Sequence, residues 1–187
     1  MKTLNSLMTF SFSFLLITLY AISFTSCDKD DTPKPNEQEL ITTVKLTFTP
    51  SGGEPVSFTA RDLDGDGGEP PVIADIQLAD STSYTLQVEF LDESDPLQTV
   101  DLTEEVSGES AEHLVCFSGT GSMAAPVASD QDSNGAPLGL VSGVSTGQAG
   151  TGTLQVSLKH EPDKQASDPC STGETDAEVI FQVTIGG

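Results

Sequence analysis

The chain has 187 residues, with 7 Lys and Arg against 29 Asp and Glu and a formal net charge of −22. That charge repels nucleic acid and anionic head groups and favours cations as ligands. With two Tyr and no Trp, the chain lacks the aromatic platforms that sugar binding uses, and its length suits one domain around one core.

Residues 1–26 read as an export signal. Lys2 is the lone positive charge, an apolar run covers residues 7–24, and the small residues Thr25 and Ser26 precede Cys27. A retained span needs about 20 predominantly apolar residues. This run is rich in Ser and Thr and stops at small residues and a Cys, which favours cleavage.

The stretch FTSC at 24–27 resembles the relaxed lipobox of Bacteroidota, with Phe24 where Leu is commoner. The stretch CDKDD at 27–31 resembles the surface-export signal of the same bacteria, a Lys and two acids just after the lipidated Cys. The resemblance implies lipidation of Cys27 and export directed by Lys29, Asp30 and Asp31. It implies an outer-membrane protein facing outside, anchored through its lipid and partnered by an outer-membrane receptor or another surface protein. The other reading of the five residues is an ordinary acidic linker on the periplasmic face. Residues 27–39 form an acidic tether, with Pro33, Pro35 and no apolar periodicity. An anchored domain needs such a spacer.

Residues 40–187 form the domain, and there the apolar period is two. Leu40, Val44, Leu46 and Phe48 share the face of a first strand; Val56, Phe58 and Ala60 mark a second. Val72, Ala74, Ile76 and Leu78 make a third, and Tyr84, Leu86, Val88 and Phe90 a fourth. Weaker strands cover 97–102 and 138–144, with one marked by His113, Val115 and Phe117 between them. Leu154, Val156 and Leu158 alternate cleanly, as do Ala177, Val179, Phe181, Val183 and Ile185. No segment carries a helical stripe. Short alternating strands between Gly, Pro, Asp and Ser clusters predict an all-β fold, a single antiparallel β-sandwich of immunoglobulin-like or related type.

Two loops have the pattern D-x-D-x-(D/N)-G: Asp62, Asp64 and Asp66 in the first, Asp130, Asp132 and Asn134 in the second. Alternate side-chain oxygens on a tight turn supply the first three of the six to eight oxygens calcium wants. Position twelve, where an EF-hand has its Glu, holds Ile73 or Val141. The loops are therefore either calcium sites completed by distant oxygens or Asp/Gly turns between strands.

His113 and His160 end strands on the core-facing side, a placement that allows them to approach one another at one rim of the sandwich. With Glu112 or Glu161 they compose a candidate transition-metal site, since imidazole suits zinc, copper and iron. The alternative is two rim histidines bonded to neighbouring loops. With Cys27 lipidated, Cys116 and Cys170 remain as a disulfide pair in an exported protein, or as free thiols. The match to G-x-S-x-G at 143–147 lacks a helix after it, so no catalytic residue is assigned.

ELITT at 39–43, DLDGDGG at 62–68, DSNGAPLGL at 132–140, LKHEPDK at 158–164 and GETD at 173–176 resemble small flavobacterial lipoproteins of unassigned function. Some of those carry the label of the type 1 periplasmic-binding fold, which is two larger α/β lobes; strands without alternating helices argue against that architecture here. Three classes of function follow. The first is a non-enzymatic surface binding module, with calcium as its cofactor. The second is a metal-capture lipoprotein serving an outer-membrane uptake receptor, and the third is a hydrolase with an unrecognised site.

Overall fold

The structure is a computed structural model that describes residues 40–65 and 68–186. The leader, Cys27, the export signal at Lys29, Asp30 and Asp31, the tether and Asp66 lie outside the described residues.

Among the described residues eleven strands follow one another along the domain. They are β1 (Thr43–Pro50), β2 (Val56–Arg61), β3 (Val72–Ile73), β4 (Ile76–Leu78), β5 (Ser83–Asp95) and β6 (Gln98–Asp101), then β7 (His113–Gly119), β8 (Val127–Ala128), β9 (Val141–Ser145), β10 (Gly150–His160) and β11 (Glu174–Ile185). One sheet has the order β3-β2-β1-β5-β9-β8, with β6 also paired to β5; the other has the order β4-β11-β10-β7. All pairings are antiparallel except the short parallel pair of β4 with β11.

The alternation seen in the sequence becomes the core. Leu46, Phe48, Leu86 and Phe90 of the first sheet face Leu154, Leu158 and Phe181 of the second, and all are fully buried. The two inner faces fill the space between them, as a sandwich requires.

Three expectations need correction. The predicted third strand is two strands in different sheets, since β3 pairs with β2 while β4 pairs with β11. The chain changes sheets at Ala74 and Asp75, and an unbroken alternation looks the same whether or not it turns such a corner. Leu40 stands ahead of β1 and is exposed. A six-residue helix, α1 (Thr103–Gly108), lies between β6 and β7 and buries Val106 alone. One inward residue makes no stripe, so periodicity was blind to it.

Cys116 and Cys170 form a disulfide, with Cα atoms 5.9 Å apart. It ties the loop between β10 and β11 to β7. The outward-facing Cys116 is thereby covered and only 6% exposed.

Candidate metal centre at the rim of the second sheet

Register brings the two histidines together. In the β7–β10 ladder His113 is directly opposite His160, and the ring centroids are 4.8 Å apart with planes at 65°. His113 is wholly buried. Its Nδ1 lies 3.2 Å from the Glu109 carbonyl oxygen, just past α1. A carbonyl only accepts, so Nδ1 carries the proton and Nε2 is left as an acceptor. That Nε2 is buried and has no hydrogen-bond partner.

The third member comes from β11, through a fault in the ladder. Leu158 is opposite Ala177 and Lys159 is opposite Thr175, so Asp176 has no residue across from it. Such a bulge re-aims a side chain. Strict alternation with Ala177, Val179 and Phe181 turns Asp176 to solvent, yet its side chain is only 3% exposed and lies 3.4 Å from His160, Oδ2 to Nδ1. Asp176 Oδ2 also lacks a hydrogen-bond partner. One ligand atom from each of His113, His160 and Asp176 lies within 4.8 Å of the other two.

The acids predicted beside the histidines form a second group around His160. Glu112 and Glu161 group with His160 but on the exposed side, where the Glu161 N–H donates to the Glu112 carbonyl at 2.6 Å. Gly173 closes the loop over the end of β10 at φ +70°, and a Cβ there would collide with the His160 carbonyl. No side chain fits that turn without moving the site.

The arrangement is two buried acceptors with no donor between them, next to a second imidazole. Leaving such atoms unpaired is costly, and a cation coordinated by all three satisfies them together. Two imidazole nitrogens and a carboxylate oxygen match divalent transition metals, and three protein ligands leave a further position open. The carbonyl of Glu109 behind His113 is the usual outer partner that orients a ligating imidazole.

The two aspartate loops differ. In the second, Asp130 accepts from the N–H groups of Gly139 at 2.7 Å and Val141 at 2.9 Å. Asp132 accepts from Asn134 at 2.8 Å and Ala136 at 2.9 Å through Oδ1, and from Lys164 Nζ at 3.0 Å through Oδ2. The Lys164 ammonium, bonded also to the carbonyls of Ser110 and Pro137, stands where a calcium ion would need the oxygen. Its hydrogen bond holds the Asp132 carboxyl below its ordinary value, helped by the two backbone donors and opposed by desolvation. In the first loop Asp64 Oδ2 accepts from the Glu69 N–H at 2.9 Å, while Asp62 Oδ1 is buried without a partner. The G-x-S-x-G match lies on β9 and the turn into β10, with Ser145 Oγ 2.9 Å from Ser83 Oγ, so it forms no strand-to-helix elbow.

Comparison with protein-family models, with characterised proteins and with solved structures finds no match to this chain.

Proposed function

We propose that this protein is a lipid-anchored outer-membrane binding module, not an enzyme, which captures a divalent transition metal through His113, His160 and Asp176. The observation that carries the reading is the pair of buried acceptors, His113 Nε2 and Asp176 Oδ2, with no hydrogen-bond partner. The exposed carboxylates of Glu112 and Glu161 beside His160 give the incoming ion a first, weaker foothold. Anchoring through Cys27 and export through Lys29, Asp30 and Asp31 put such a site within reach of an uptake receptor, to which the ion is passed. The acidic surface supports the same role by raising the local concentration of cations.

Titration calorimetry of the purified protein with zinc, copper(II) and nickel tests the reading. One ion per chain is expected for at least one metal, and binding should be lost in the double variant His113→Ala, His160→Ala and strongly weakened in Asp176→Asn. Retention of full affinity in the double variant would reject it.

A further inference from the structure

A second site lies where the sandwich is left open. Strand β3 is only two residues long, and β4 pairs with Val183–Ile185 of β11 alone. Among the described residues, the earlier part of β11 has no strand on that side. A cleft of about 580 Å³ opens between the sheets there, within the range of roughly 300–1,000 Å³ in which small organic ligands are held.

Apolar side chains make up part of its wall, with Ile41, Val44 and Ile73 from the first sheet and its approach, and Val179 and Ile180 from β11. Three carboxylates also line it, Asp62, Asp176 and the exposed Glu178. Asp62 and Asp176 each have a buried oxygen without a hydrogen-bond partner, and the Asp176 side chain is only 3% exposed. Arg61 is the one cation in the wall among the described residues, and it is spent on Glu93, with Nε 2.9 Å from Oε2. The cleft therefore combines an apolar body with unneutralised acceptors.

The geometry points to a binding site for an organic ammonium ion with an apolar body, its charged head on Asp62 and Asp176 and its body between Ile73 and Val179. Calcium needs six to eight oxygens, and the apolar part of the wall gives it nothing to coordinate. An anion meets three carboxylates, and a neutral alcohol supplies one donor without charge. The site goes beyond metal capture: Asp176 is common to both, but Asp62 is not a metal ligand, so the head group keeps its anchor when a metal holds Asp176.

The test uses three probes with one body: 1-adamantylammonium, 1-adamantanol and adamantane-1-carboxylate. Each is titrated into the purified protein with chelator and again with zinc, with amide shifts read by NMR. Charge-assisted hydrogen bonds are strong enough that the ammonium should bind at least about tenfold more tightly than the alcohol, and the carboxylate not measurably. Shifts should centre on Ile41, Ile73 and Ile180. Asp62→Asn should remove most of the preference for ammonium, and Ile73→Trp should block all binding by filling the cleft without changing charge; thermal melts check that each variant is folded. Equal binding of all three probes, an unchanged preference in folded Asp62→Asn, or displacement of the ammonium by one equivalent of calcium would overturn the proposal. Failure of zinc to bind would leave it standing, since the arm with chelator contains no metal.

Discussion

Two clusters at the ends of β7 and β10 put a carboxylate into the protein, and they treat it in opposite ways. Asp132 accepts from two backbone N–H groups and from Lys164. Nothing is left over, and the cluster fastens the loop after β10 to the loop before β9. At the histidine rim Asp176 Oδ2 and His113 Nε2 have no hydrogen-bond partner, and the nearest imidazole nitrogen to Asp176 is His160 Nδ1 at 3.4 Å. Complete satisfaction marks a structural tie, whereas acceptors buried without donors mark a place that something else must complete.

The largest effect should come from breaking what joins the two regions. The disulfide connects β7, which begins at His113, with the loop that carries Lys164. Replacing Cys116 and Cys170 with Ser should cost on the order of 4 kcal/mol, by the chain-entropy estimate for a loop of this size, as read by urea unfolding. It should weaken metal binding too.

Metal should separate the clusters next. At a free zinc concentration about 100 times the dissociation constant, the protein should gain roughly 2.7 kcal/mol of stability. Asp176→Asn should remove that gain, while Lys164→Met should leave it intact. Melting curves with zinc and with chelator distinguish the two.

Without metal the order should reverse. Lys164→Met takes the cation from a buried carboxylate and should lower the melting temperature by about 5 °C or more. Asp176→Asn supplies a donor to a site that has none and should change it little or raise it.

The smallest effect is on pH dependence. The folded Asp132 carboxyl titrates below its ordinary value of 3.8, so its contribution is fully present above that pH. It is lost as the pH falls through the lower folded value. Asp132→Asn should flatten stability in that acid range and leave the curve near neutrality with the same slope. An unchanged acid limb would mean that Lys164 does not hold the carboxylate.

Much of this was legible in the chain. Period-two runs such as Tyr84, Leu86, Val88 and Phe90 named their strands because one face is buried, and that burial is itself the cause of the pattern. His113 and His160 shared the parity of their core neighbours at the ends of strands, which left a meeting at one rim open; the β7–β10 register made it. The Cys116–Cys170 bond followed from counting. Asp176 was invisible for a physical reason: alternation points it outward, and only the bulge in the β10–β11 ladder turns it in. Glu112 and Glu161, adjacent in sequence to the histidines, were the plausible substitutes and lie on the outer side.

Local chemistry thus determined the strands, the inward parity of each histidine and the acidic character, because each depends on residue type and spacing along one segment. The tertiary structure decided which sheet β3 and β4 joined, that Lys164 reached Asp132, and that Asp176 faced the histidines. These depend on register between strands distant in the chain, and a one-residue slip in a ladder exchanges the inward and outward sets without altering any local pattern.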